Sequence, residues 1–463
     1  MKQIVFCLLI SLFTFSNINS YAQSENKDVT ITASGSGNTL EEAKQSALRS
    51  ATEQAFGAFI SSKTEIFNDK VVVDQMASVS SGNIKSYEML NEAQLPDGRW
   101  GVTLKAIVSV DKLISFVQSK GITVEVKGGL FALNIKQQLL NEEGEINAVT
   151  EMVALLHEPM QISFDYVLKS GEPKSLDAES KNWEIPLSVS AICNKNIDFC
   201  ANYLLKTLNA ISLSENEVGT YKSLNKNVFQ VTLNYLGNSS VFYLRKEMSI
   251  NAIHSLTSNW NFYTRLFSVQ PGMDEIFGNG EVKTNELSGV KYYYDDVKKL
   301  VTISFPTTGQ VSAIFNWKDK KTLKQIEQIS GYSVKPRGVV SIIRNGGYVV
   351  YEKKGHGLVV ALFDIGTITK GEDAFRACDQ LVLMGYDDWK LPSMGELKQI
   401  HEKFFMKILG DFRGANYWSK SGVYADDLSW NVMLFVDPAT INSSLPHLYN
   451  SYYPLRVRPV RSF

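Results

Sequence analysis

Asp387 and Asp388 stand side by side ahead of Trp389, in a stretch that reads Gly-Tyr-Asp-Asp-Trp. Two carboxylates on a turn can hold a cation through oxygen ligands, or accept N–H bonds from a following helix. Further on, Asn416-Tyr417-Trp418-Ser419 offers an aromatic pair, and the last residues carry Arg456, Arg458 and Arg461. Arg456 and Arg458 share one strand face by the two-residue period. A guanidinium grips a carboxylate or sulfate through two parallel N–H bonds, and an indole ring offers flat apolar contact. Asp387, Asp388, Trp389, Trp418, Arg456 and Arg458 are therefore the candidate ligand-binding set. A structural role competes for the same residues: rings in the core, and arginines paired internally with Asp387, Asp388 or Glu396.

Other chemistry is poorly supported by spacing. His157 and His254 lie far apart in apolar surroundings, which favours structural histidines over a general base. His356 sits between glycines and reads as a turn residue, with no partner at metal-ligand spacing. His401-Glu402 lacks the second histidine of a zinc-protease helix, and Gly35-Ser36-Gly37 lacks the rest of a phosphate loop. Asp295 and Asp296 are adjacent and read as a solvated turn. The aromatic run from Trp260 to Phe267 suits core packing, with sugar stacking as the lesser reading. No metal, cofactor or catalytic residue is assigned. Cys193 and Cys200 either close a small disulfide loop or remain two buried thiols, and Cys378 reads as a buried free thiol.

The elements that must position the candidate set can be read around it. Asn345-Gly346-Gly347 marks a hairpin, and the glycines around His356 break a second strand pair. The spacing predicts a helix from Glu372 to Leu383, ended by Met384-Gly385. Ser393 with Glu396 makes a capping box for a helix from Met394 to Phe404. Strands follow at Asn416 to Ser419 and Leu428 to Phe435. The stretches RACDQLVLMGYDDWKLPSMGEL, NYWS and RVRPVRSF together resemble the Lcl-type C-terminal domain, over Gly338 to Phe463. That resemblance implies a C-type-lectin-like α+β module related to the formylglycine-generating enzyme fold. It implies an extracellular binding domain; the lone Cys378 departs from the cysteine pair that the related enzymes use.

Upstream, Val29 to Ala33 alternates as a strand that Gly35 and Gly37 break, and Thr39 with Glu42 caps a helix bearing Ala43, Ala47, Ala51 and Ala55. Strands at Ile84 to Leu90 and Trp100 to Val110 join through Pro96-Asp97-Gly98, and a helix follows at Asp111 to Gln118. This β-α-β-β-α unit, carried by TLEEAKQSALRSATEQAFGAFISSKTEI and SSGNIKSYEML, resembles the N-terminal domain of flagellar assembly protein T over Asp28 to Gly121. The resemblance implies an envelope scaffold. From Ile122 to Lys335 the chain reads as mixed α/β: a helical stretch interrupted near Asn141 to Gly144, an edge or bulged strand at Pro186, a helix from Asp198 to Leu213, a hairpin at Gly237-Asn238 and a helix from Lys320 to Ile329.

The whole is an α+β multidomain chain of 463 residues, 44% hydrophobic and 21% charged, with a formal net charge of −1. Such a charge gives no basic field for nucleic acid. Met1 to Ala22 has the features of a cleaved signal peptide, with Cys7 inside its apolar core and no later membrane span. The expected function is an exported, envelope-associated adhesion or binding protein, in the periplasm, at the cell surface or secreted. Its partner is a surface glycan, an anionic one included, or an envelope protein. A structural assembly factor and an enzyme acting on envelope glycans or peptides are the alternatives. Cleavage after Ala22 predicts an exported chain that starts at Gln23 without an acyl group. Intact mass reads this directly, and a retained leader or an added lipid mass contradicts it.

Overall fold

The computed structural model describes residues 28–59, 70–78, 82–120, 131–176, 181–271, 281–283, 291–295, 298, 300–339, 342–403, 412, 416–420, 430–434, 447–449 and 454–463. The signal segment, with Ser20, Ala22 and Cys7, lies outside them, as does Asp296. Helices and sheets are interspersed along the chain, an α+β arrangement. Among the described residues no helix is long and apolar enough to cross a membrane.

The N-terminal unit has the expected β-α-β-β-α order with a short extra helix, Lys70–Ala77. Its strands lie in the order Asp28–Gly37, Trp100–Ser109, Ile84–Gln94, all antiparallel. Thr39 Oγ1 accepts the Glu42 N–H at 3.1 Å, so the Thr39 half of the expected capping box forms, while the Glu42 carboxylate reaches one residue further back and accepts the Asn38 N–H at 2.8 Å. Ala43, Ala47, Ala51 and Ala55 are fully buried in the helix Leu40–Phe59. The glycines do not break the first strand, whose pairing runs through to Gly37 opposite Trp100. A Cβ on Gly35 would lie 2.4 Å from the Ala47 nitrogen. Glycine is there because the alanine seam brings helix backbone onto the strand.

A second glycine was expected to bend a helix and does not. The helix Phe131–Gln161 continues through Asn141 to Gly144. It lies across the first strand so closely that a Cβ on Gly144 would come within 2.6 Å of the Thr32 carbonyl oxygen. Gln137 grips the same strand: its Nε2 donates to the Thr30 carbonyl at 2.6 Å and its Oε1 accepts the Thr30 N–H at 3.1 Å. A side-chain amide thus satisfies the exposed edge of the sheet.

The middle region has two larger sheets. One orders Glu281–Lys283, Val311–Thr322, Asn182–Cys193 and Phe164–Ser170, with Lys174–Ser175 also on Asn182–Cys193. Pro186 is therefore on an interior strand, not an edge. It stands where the neighbour changes from Ser170 to Lys174, and its carbonyl accepts the Gly171 N–H across that gap at 2.8 Å. The other sheet orders Lys291–Asp295, Leu300–Ser304, Phe229–Tyr235 and Asn238–Leu244. Its hairpin turns at Leu236-Gly237, both at positive φ. The helix expected from Asp198 to Leu213 forms, but three residues earlier, as Lys195–Ile211 capped by Asn194. The helix expected at Lys320 does not start there: strand continues to Thr322, which caps the short helix Leu323–Glu327 with Gln325.

In the C-terminal region, Ile343–Arg344, Gly347–Lys353, His356–Val360 and Val460–Ser462 form one sheet. A second orders Gly366–Ile368, Leu455–Val457, Asn416–Ser419, Trp430–Leu434 and His447–Tyr449. His356 opens a strand, and the turn before it is Lys354-Gly355. The helix Gly371–Asp379 stops before Leu383; Met384-Gly385 instead form a tight turn that closes Leu383 onto Tyr386.

The N-terminal unit has its own buried core, whereas one continuous core runs from the middle region into the C-terminal module. The helix Glu247–Ser258 joins them: Ser255 Oγ donates to the Leu362 carbonyl at 2.7 Å and Asn251 Nδ2 to the Asp364 carbonyl at 3.0 Å. Close packing at Gly35 predicts that Gly35→Ala destabilises the fold by about 1–3 kcal/mol, the usual cost of overpacking. Gly57, in the helix Leu40–Phe59, faces open space, and Gly57→Ala should stabilise by about 0.5–1 kcal/mol. Urea unfolding of the two variants tests the contrast; equal midpoints would remove the close-packing explanation.

Candidate functional site

The candidate residues do gather in the C-terminal module, but most of them face inward. Trp389 and Trp418 are 2% and 0% exposed, and Arg458 is 1% exposed. Trp389 Nε1 donates to the Leu383 carbonyl at 3.1 Å and Trp418 Nε1 to the Ile368 carbonyl at 2.8 Å. Each indole thus fills core volume and pins a neighbouring segment by its single polar atom. The expected contact surface around Trp389, Trp418 and Arg458 is corrected by this burial: these groups fasten the module from within.

Arg458 is held by a partner the sequence did not reveal. Its Nε donates to Asp364 Oδ1 at 2.5 Å, its Nη1 donates to the Ala361 carbonyl at 3.1 Å, and its guanidinium lies 4.4 Å from the Phe412 ring centre. Asp364 Oδ2 also accepts from Arg456 Nη1 and from the Tyr417 hydroxyl, both at 3.2 Å. A nearly buried carboxylate with two guanidiniums and a phenol is a satisfied network, not an open anion site. Arginine pairing was foreseen; the pairing of Arg456 and Arg458 with Asp387, Asp388 or Glu396 is corrected to Asp364. Glu396 instead caps its helix through Ser393 and meets Lys390 at 3.2 Å.

Asp387 and Asp388 remain on the surface and separate in role. Asp388 Oδ1 accepts from Arg461 Nε at 2.5 Å. The Arg461 guanidinium stacks 3.7 Å from the Tyr386 ring centre and donates to the Asn345 carbonyl at 2.8 Å. Gly346 clears the space for that ring, since a Cβ there would fall 2.7 Å from it. Asp387 is exposed beside this stack. Among the described residues no group of three or more His, Cys, Asp and Glu is placed to hold a metal ion. A shallow groove of about 400 Å³ lies near the module's first hairpin, lined by Val350, Tyr351, Gln399, Glu402 and Lys403. The joining segments 421–429 and 435–446 lie outside the described residues.

Elsewhere the reactive residue types are enclosed. Cys193 and Cys200 are buried free thiols, which corrects the possible Cys193–Cys200 disulfide. Cys193 ends a strand and shares a 2.8 Å hydrogen bond with Ser312, while Cys200 faces the core from the next helix. Burial pushes Cys193 up to about 11 and Cys378, a buried thiol as expected, up to about 12, far from a reactive thiolate. Trp260 and Tyr263 are 1% exposed core residues. His157 Nδ1 shares a 2.6 Å hydrogen bond with the Tyr263 hydroxyl, and its ring meets Tyr348 of the C-terminal module edge-on. Its Nε2 is buried without a partner. His254 is buried at 7% exposure.

No family model, no curated protein and no solved structure matches this chain.

Two outcomes follow from this geometry. Asp364→Ala would strand Arg458 without its carboxylate and should cost about 3–5 kcal/mol, seen as a lower unfolding midpoint. An unchanged midpoint would mean the buried pair contributes nothing. Burial also depresses His157 to about 4 from its ordinary value. The unfolded chain then binds a proton more readily between about 6.5 and 4, so stability falls as pH drops through that window. The contribution is on the order of 3 kcal/mol. Denaturant unfolding of the parent and His157→Gln should diverge in pH dependence across this window, and parallel curves would contradict the assignment.

Proposed function

We propose that this chain is an exported, envelope-associated binding protein whose C-terminal module recognises a surface ligand, a glycan or an envelope protein. The observation that carries the reading is the way the module uses its polar residues. Arg458, Asp364, Tyr417, Trp389 and Trp418 all serve to lock the frame. That locking pairs the final strand Val460–Ser462 with His356–Val360 and holds two helices beside a second sheet. A rigid frame with paired outer strands and chemistry confined to its rim suits recognition. It also accords with the Lcl-type resemblance and a C-type-lectin-like fold.

The rim groups are Asp387 beside the Arg461–Tyr386 stack, and Lys420 at the end of the strand Asn416–Ser419. The Lys420 ammonium lies 5.5 Å from the Phe375 ring centre. With Arg458 buried, an anionic glycan would have to meet Lys420 rather than that guanidinium. The N-terminal unit and middle region serve as the scaffold that presents this module.

The test is a glycan array and an envelope-protein panel probed with the full chain, its Asp387→Ala variant and its Lys420→Ala variant. Full-chain binding that weakens at least tenfold in one variant, at an unchanged unfolding midpoint, supports the reading. Binding unaffected by either places the ligand elsewhere. A chain that captures no glycan yet assembles with envelope proteins regardless of both variants favours the structural alternative.

A further inference from the structure

We propose that the outer face of the middle region's four-stranded sheet is a second binding surface, for an uncharged polysaccharide chain. It lies outside the C-terminal module and stands whether or not that module binds a ligand.

The face is defined by alternation. On the strand Phe229–Tyr235, Phe229, Val231, Leu233 and Tyr235 are buried, while Gln230, Thr232 and Asn234 are partly exposed. The neighbour Leu300–Ser304 buries Val301 and Ile303 and leaves Thr302 and Ser304 partly exposed. The strand Asn238–Leu244 buries Phe242 and Leu244. Its Val241 is 47% exposed, and Tyr293 on the opposite border strand is 59% exposed.

Register sets these side chains in straight rows across the strands. Tyr293, Thr302, Thr232 and Val241 are cross-strand neighbours, as are Asp295, Leu300, Gln230 and Tyr243. Lys291, Ser304, Asn234 and Ser239 make a third row. Gln230 Nε2 donates to Thr232 Oγ1 at 3.3 Å, and Asn234 Nδ2 to Ser304 Oγ at 3.0 Å. The amides are therefore held in orientation before any ligand arrives. Four strands at about 4.8 Å spacing make a floor roughly 14 Å wide, bordered by Tyr293 on one side and Tyr243 on the other.

Charge selects the occupant. The charged residues that the register places on these rows are Lys291 and Asp295, of opposite sign and both on one border strand, and Asp295 already accepts the Lys298 N–H at 2.9 Å. Nucleic acid or an anionic glycan would call for a row of cations. A protein partner would call for a contiguous apolar centre. Hydroxyls and side-chain amides both donate and accept, which matches the mixed hydroxyls of a neutral sugar. Tyrosine rings at the borders match the apolar C–H faces of successive sugar rings.

The experiment is affinity electrophoresis of the full chain through gels that contain glucomannan, laminarin or dextran, with polygalacturonate as the charged counterpart. The expected result is retardation by at least one neutral polymer, retained at high salt. Tyr293→Ala and the pair Gln230→Ala with Asn234→Ala should each weaken it about tenfold. Val241→Glu places a charge on the floor from an exposed position and should abolish the retardation with the unfolding midpoint kept. Asp387→Ala should leave it unchanged, which separates this face from the C-terminal rim. No retardation by any of the three neutral polymers overturns the proposal. So does retardation that Val241→Glu leaves intact, or retardation by polygalacturonate alone.

Discussion

The contact between Asp364 and Arg458 is the interaction on which the C-terminal half depends. It joins a carboxylate just after the strand His356–Val360 to a guanidinium between the last two strands. Arg456 and Tyr417 complete it from the second sheet. The backbone of Asp364 also receives Asn251, so the same residue fastens the module to the middle region's helix Glu247–Ser258. A charge this enclosed is tolerable only when every partner is present. That requirement fixes four chain segments against one another and explains why the core passes from one region into the next without a break.

A parallel device works upstream. Glu145, buried in the long helix Phe131–Gln161, accepts the N–H groups of Arg245 and Lys246 and the hydroxyl of Ser249. Those donors sit at the start of the helix Glu247–Ser258, whose free N–H groups need an acceptor. Arg245 Nη1 adds a charged contact at 3.2 Å. The long helix is thus tied to the N-terminal sheet by Gln137 and to the middle region by Glu145, and the middle region is tied to the module by Asn251 and Ser255. Buried polar residues thus link the regions in series along the chain.

How far this was legible depended on the range of each interaction. The cap at Thr39, the box at Ser393 and Glu396, and the turn at Gly98 are local, and each formed where the spacing placed it; the hairpin expected at Gly237-Asn238 turned one residue earlier, at Leu236-Gly237. Periodicity likewise gave the N-terminal unit and the helix at Lys195. Gly35 and Gly144 misled because a glycine that breaks an element and one that admits a neighbouring backbone look alike in one dimension. Trp389 and Trp418 misled because an aromatic residue suits a core and a surface equally. Asp364 could not be found at all: it lies outside any periodic element, and its arginines are 92 and 94 residues away.

That separation also sets a calendar for synthesis. Asp364 emerges long before the guanidiniums that neutralise it, so the growing chain holds an unpaired carboxylate amid residues destined for the core. The strand His356–Val360 likewise waits for Val460–Ser462, and Gly357 for the backbone of Phe463. Loop closure over such a span is slow compared with local helix formation. The N-terminal unit, whose sheet is complete once Ser109 has been made, can settle while the remainder is still being synthesised. The C-terminal frame snaps shut only when its last strand arrives, and until then its apolar faces are open to chaperones and proteases alike.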